Sequence, residues 1–160
     1  MVYKFFLVLI TWLLIVALLP TAAQSQTTTP IQPDDFEYLG AFRLPPDPEG
    51  MGWEYGGGAM TYYPEGDASG PDDGFPGSLF ATGHDWFQYV SEISIPTPVI
   101  SADKNLEDLP IATTLQDFQD IRGGLFDFLD FEIPRVGLEY LPAQGDQESG
   151  KLYFAWGQHY

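Results

Sequence analysis

The sequence predicts an all-β chain assembled from antiparallel hairpins. Two observations carry this expectation. Aromatic residues make up 16 % of the chain, and Gly and Pro number 17 and 14; bulky strand formers punctuated by turn formers favour strands over helices. A hairpin pattern also occurs twice. Gly58-Ala59-Met60-Thr61-Tyr62-Tyr63-Pro64-Glu65-Gly66-Asp67 is followed, after a polar stretch, by Gly77-Ser78-Leu79-Phe80-Ala81-Thr82-Gly83-His84. Gly137-Leu138-Glu139-Tyr140-Leu141-Pro142-Ala143-Gln144-Gly145-Asp146 is followed by Gly150-Lys151-Leu152-Tyr153-Phe154-Ala155-Trp156-Gly157-Gln158-His159. Each copy reads as strand, Pro-x-Gly-Asp turn, strand, and a recurring unit implies an architecture built by repetition.

Residues 1–23 read as a secretory signal peptide. Lys4 supplies the positive flank, Phe5 to Leu19 is an uncharged apolar run, and Thr21-Ala22-Ala23 places small residues at a cleavage site, with Ser25 as the alternative. The run is shorter than the about 20 residues of a membrane span, so cleavage is expected over an uncleaved anchor, with no span left in the mature chain. Residues 24–33 form a polar tail, and residues 34–160 form the folded domain. Without cysteine, this exported domain has no disulfides and must rely on packing, metal or further chain. The expected location is secreted, periplasmic or at the cell surface.

The strands follow in order. Phe36 to Leu44 is a first strand with Gly40 as a bulge, stopped by Pro45-Pro46-Asp47-Pro48. Gly56-Gly57-Gly58 marks a close backbone approach before strand A, Ala59–Tyr63. Glu65 to Gly77 is an Asp-, Gly- and Pro-rich connection to strand B, Ser78–Thr82. Gly83-His84-Asp85-Trp86 is a turn. Strand C, Gln88–Ile95, alternates Val90, Glu92 and Ser94 on one face with Tyr89, Ser91, Ile93 and Ile95 on the other. A loop leads to strand D, roughly Ile111–Leu115. The segment Asp120–Ile133 reads as a short extra strand or an amphipathic turn. A new strand A opens at Val136 and a new strand B follows.

Four strands joined in succession make an antiparallel meander, and a repeated four-stranded meander is the blade of a β-propeller. The alternative is a β-sandwich made from the same hairpins. The steps from Pro64 to Pro142 and from Leu79 to Leu152 exceed the about 40–50 residues of usual propeller repeats, so the blade carries insertions. The run Tyr62-Tyr63-Pro64-x-Gly66-Asp67, Gly77 to Asp85 and Val90-Ser91-Glu92-Ile93-Ser94-Ile95-Pro96 resembles the A–B–C pattern of secreted bacterial propellers, with the grammar of the gluconolactonase-like and phytase-like kinds. The resemblance covers about one and a half blades, whereas a ring needs about four to eight. It implies an incomplete propeller, the N-terminal part of a longer ring or one unit of an assembly, and it transfers little chemistry.

Net charge is -17, with 6 basic residues against 23 acidic ones. Such a surface repels phosphate backbones and excludes nucleic acid as a partner. No Cys nucleophile, Gly-x-Ser-x-Gly, phosphate-binding Gly-Lys-Ser/Thr or His-Glu-x-x-His motif occurs. The acidic stretch Glu65–Gly74 has the density of a calcium loop but not the spacing. Counted from Asp67, the fifth EF-hand position is Pro71 and the twelfth is Ser78.

Blade topology puts the loop into strand A and the B–C turn at one end. Trp53, Glu54 and Tyr55 are therefore expected beside His84, Asp85 and Trp86, with Arg135, Gln158, His159 and Tyr160 as their counterparts in the next unit. Both histidines of the chain fall just after strand B. Exposed Trp and Tyr at loop tips suit carbohydrate or protein ligands, with Trp53, Glu54, Tyr55, Trp86 and His159 as binding residues. The competing expectation is a Ca²⁺-dependent hydrolase of the lactonase or phosphoesterase type. Glu54, Asp85 and Glu139 would then supply oxygen ligands, and His84 with Asp85 would carry protons. Turn chemistry alone also accounts for His84 and Asp85.

Overall fold

The computed structural model describes residues 30–47, 52–67, 70, 74–127 and 133–157. The signal peptide, most of the polar tail, most of the acidic stretch 68–73 and Gln158, His159 and Tyr160 lie outside the described residues. The chain divides into two units, one ending at Glu37 and one beginning at Tyr38. In the first, Pro33–Asp35 is a 3-10 turn. Pro33 gives up no needed amide there, and Asp35 Oδ2 accepts the Gln32 amide at 2.7 Å.

The second unit is all-β, as expected. Its larger sheet holds β1 (Met60–Tyr63), β2 (Gly74–Thr82), β3 (Val90–Pro96) and β4 (Thr114–Gln119), antiparallel neighbours in that order. This is the four-stranded meander the hairpin pattern predicted. Gly77, at φ +79, sits where the β2–β3 register shifts between Phe75 and Ser78. A Cβ there would stand 2.7 Å from the Tyr63 carbonyl oxygen, which requires glycine.

Two expectations are corrected. Phe36 to Leu44 forms no strand. Only Ala41 and Arg43 pair, as isolated bridges to Val99 (antiparallel) and Ile111 (parallel). Gly40, at φ +131, breaks the extended run. The partners also change within three residues: Ala41 exchanges two 3.0 Å bonds with Val99, whereas Arg43 donates to Pro110 at 2.7 Å and accepts from Ala112 at 2.9 Å. Strand D accordingly begins at Thr114 rather than Ile111, because Arg43 already occupies the backbone around Ile111 and Ala112.

β3 is covered on both faces: Val90 and Ser94 of one face and Ser91 and Ile93 of the other are all buried. The serines tolerate burial because each is hydrogen-bonded. Ser91 Oγ donates to the Gln116 carbonyl at 2.8 Å, and Ser94 Oγ accepts the Thr113 amide at 2.9 Å. Both bonds fall where the β3–β4 register shifts, at Val90/Glu92 and Glu92/Ile93, so the hydroxyls replace ladder bonds lost to the irregularity.

The smaller sheet pairs β5 (Arg135–Leu141) with β6 (Lys151–Gly157) in unbroken register, from Arg135↔Gly157 to Leu141↔Lys151. Between them Gln144 and Gln147 exchange amide–carbonyl bonds of 3.1 and 3.0 Å around Gly145, at φ +56. A two-stranded ribbon is marginal alone, and two contacts support this one. The Tyr140 amide donates to Thr61 Oγ1 of β1 at 2.9 Å, with the Tyr140 ring 4.6 Å from that of Tyr63. Phe126, buried in the turn after β4, lies 5.9 Å from Phe154 and 5.4 Å from Trp156. The described part of the 120–133 segment is thus a turn. No helix among the described residues is long and apolar enough to cross a membrane.

Candidate functional site

The loop before β1 and the turn after β2 meet at one end of the larger sheet. Glycine makes this approach possible: a Cβ on Gly56 would stand 2.8 Å from the Gly83 carbonyl carbon, and one on Gly83 would stand 2.6 Å from the Gly52 oxygen. The Gly57 amide donates to the Thr82 carbonyl at 2.8 Å. Trp53, Glu54 and Tyr55 are thereby carried beside the His84-Asp85-Trp86 turn.

Within the turn, the His84 carbonyl accepts the Phe87 amide at 2.9 Å and the Gln88 amide at 2.8 Å. His84 Nδ1 accepts the Trp86 amide at 3.1 Å, which leaves the proton on Nε2. The imidazole meets the Tyr55 ring edge-on at 5.6 Å and the Phe87 ring at 5.5 Å. His84 is therefore built into the turn, between the exposed Tyr55 ring and the half-buried Phe87 ring. Tyr55 is 73 % exposed and Trp86 54 %.

The backbone here is held in an unusual state. Tyr55 has φ +56 and Gln88 has φ +53, a region that costs a non-glycine residue about 1–2 kcal/mol. Gln88 is 2 % exposed. Its Nε2 donates to the Asp85 carbonyl at 2.9 Å, while its Oε1 is buried with no hydrogen-bond partner among the described residues. Strain of this kind persists only where surrounding structure over-determines it, and it clusters at binding loops.

Trp53 takes a different role from its neighbours. Its ring, half-buried, packs edge-on against Phe118 of β4 at 4.8 Å, which anchors the loop to that strand. Glu54 is exposed and Asp85 half-buried, and Glu139 stands on β5 opposite Tyr153. Among the described residues no three His, Cys, Asp or Glu side chains are gathered to hold a metal ion. Glu54, Asp85 and Glu139 are thus not gathered into one cluster.

Three residues of this end escaped sequence reasoning. Gln88 carries no signal, since glutamine is not a residue type that marks a left-handed backbone. Phe118 shows only as the aromatic of an alternating strand. Arg122 stacks 5.0 Å from the Tyr89 ring and 5.6 Å from that of Phe126, a long-range arrangement that local pattern does not encode. No family model, curated protein or solved structure matches the chain.

Proposed function

We propose that this chain is an exported binding scaffold of propeller type whose loop end takes neutral carbohydrate across Tyr55 and Trp86. The observation that carries the binding reading is the pairing of two exposed rings with a strained, tightly bonded loop. Tyr55 is held at φ +56 against His84, and the Trp86 amide is tied to the His84 ring. Fixed aromatic faces give apolar area to a sugar ring at little entropic cost. Glu54 and Asp85 beside them accept hydrogen bonds from sugar hydroxyls. A net charge of -17 favours a neutral ligand over a phosphorylated one.

The propeller reading draws support from the meander order of the larger sheet and from the side-by-side placement of β1 and β5, the first strands of the two hairpin units. Export draws support from the apolar run Phe5 to Leu19 behind Lys4.

The test is titration with neutral glucan, mannan and chitin oligosaccharides, followed by tryptophan fluorescence and calorimetry. Binding by the wild type that falls at least tenfold in both Tyr55→Ala and Trp86→Ala supports the reading. Absence of saturable binding, or wild-type affinity in either variant, overturns it. Binding of unfolded or basic peptides in place of sugars assigns the same surface to protein ligands instead.

A further inference from the structure

A second site lies away from the aromatic loops, in a groove of about 380 Å³ between the segment Tyr38–Ala41 and the connection that follows β3. Val99, Ile100, Leu106 and Leu109 line it with Tyr38. Tyr38, Ile100 and Leu106 remain largely exposed, and large apolar side chains clustered at one exposed place mark interaction sites. Gly40 lets the backbone beside the lining residue Ala41 approach Val99, where a Cβ would stand 2.6 Å from the Val99 carbonyl carbon.

The charge at its rim is not the charge of the molecule. Lys104 lines the groove and makes no ion pair among the described residues, which hold salt bridges at Arg43–Glu107 and Arg122–Asp120. Of the acids beside it, Glu107 and Asp108 are engaged within the loop, while Asp103, next in the chain, is exposed. Glu107 meets Arg43 at 3.0 Å, and Asp108 accepts Ser101 Oγ at 2.8 Å and Asn105 Nδ2 at 3.4 Å. Lys104 itself is held at φ +55, and its amide donates to the Ser101 carbonyl at 3.3 Å. In a chain of net charge -17, the one charged side chain lining this apolar groove is a cation.

We infer that this groove binds a small amphipathic monocarboxylate, with the apolar body on Tyr38, Ile100 and Leu106 and the carboxylate on Lys104. A single cation in the lining fits one negative charge and disfavours two. The volume lies near the small end of ligand pockets, which run about 300–1,000 Å³, so a medium-length aliphatic or arylalkyl acid fits and a long-chain lipid does not. The inference is independent of the carbohydrate reading, because it uses none of the same residues.

The probe is octanoate, with octanamide as the uncharged control, titrated into the protein while the methyl NMR signals of Ile100, Leu106 and Leu109 are followed. Octanoate is expected to shift these signals saturably and to bind about fivefold more tightly than octanamide, the strength of a good exposed ion pair. Lys104→Asn, whose side chain tolerates the left-handed backbone, is expected to bring octanoate down to the octanamide level. Leu106→Ser, at an exposed position that leaves the fold intact, is expected to weaken both. The inference is overturned if octanamide binds as tightly as octanoate, if Lys104→Asn leaves octanoate affinity unchanged, or if the groove signals do not move. Signals that shift with protein concentration alone would place a second copy of the chain in the groove and overturn it equally.

Discussion

Asp120 grips Arg122 with both carboxylate oxygens. Arg122 Nε donates to Oδ1 at 2.8 Å and the second guanidinium nitrogen to Oδ2 at 2.7 Å, while the Arg122 amide reaches Oδ1 at 2.9 Å. This fork holds the guanidinium between the rings of Tyr89 and Phe126. Phe126 in turn packs on Phe154 and Trp156 of β6. A two-residue ion pair thus orients the aromatic bridge between the turn after β4 and the smaller sheet.

The pair has a pH signature. Hydrogen bonding from the Arg122 side chain, against an opposing effect of burial, holds the Asp120 carboxyl at about 2. A carboxyl depressed in the folded state contributes stability that is whole above its unfolded value of about 3.9 and disappears as pH falls through the folded one. Carboxyl NMR titration is expected to place Asp120 near 2 in the wild type and near the ordinary carboxylate value in Arg122→Gln. Asp120 titrating normally in the wild type would remove the ion pair from the account. The same Arg122→Gln substitution is expected to weaken near-ultraviolet circular dichroism from Phe126 and Trp156, since the cation that positions the rings is gone.

Thr61 and Tyr140 give a cleaner measure of how β5 is held to β1. Thr61 is buried, and its hydroxyl oxygen accepts the Tyr140 amide. Thr61→Val keeps the shape and leaves that amide without its partner, at a cost of about 1–3 kcal/mol. Thr61→Ser keeps the oxygen and is expected to cost less than 1 kcal/mol. Urea unfolding should find Thr61→Val less stable than Thr61→Ser, and identical midpoints would show that the hydroxyl contributes nothing.

The hairpins were legible because their signals are local: Pro64, Gly66, Asp67 and Gly77 in one, Pro142, Gly145 and Gly150 in the other. The juxtaposition of Tyr55 with His84 was legible for the same reason, since meander order alone puts those loops at one end. What the pattern hid depends on distant partners. Ile111 and Ala112 look like strand residues, and they do pair, but with Arg43 rather than β3. Ser91 and Ser94 stand on opposite faces by alternation, yet both go inside, where their hydroxyls mend an irregular ladder. The Lys104 groove was invisible because Tyr38 and Leu106 come together only after the chain has folded back on itself.

Two glycines separate steric from conformational demand. At Gly40 a Cβ would meet the Val99 backbone at 2.6 Å with φ +131, whereas at Gly57, φ +79, nothing lies within 4 Å. Gly57→Ala therefore costs only the left-handed penalty, about 1–2 kcal/mol. Gly40→Ala must also push Val99 away, which breaks the two Ala41–Val99 bonds and opens the groove. Thermal unfolding should show the larger loss for Gly40→Ala, with octanoate binding lost in that variant alone. Equal losses would mean that the Gly40 contact is relieved without cost.

Tyr55 tests whether the loop's strain serves binding. Its φ of +56 is natural for glycine and costly for any residue with a Cβ. Tyr55→Gly and Tyr55→Ala both delete the ring that meets His84, so they lose the same edge contact. Only the alanine keeps the backbone penalty. The glycine variant is expected to be more stable than the alanine variant by about 1 kcal/mol, which for a domain of roughly 100 residues is a Tm difference of about 4–8 °C. Oligosaccharide binding is expected to fall equally in both, since the lost group is the ring. A glycine variant that retained wild-type binding would show that the Tyr55 ring makes no part of the contact surface.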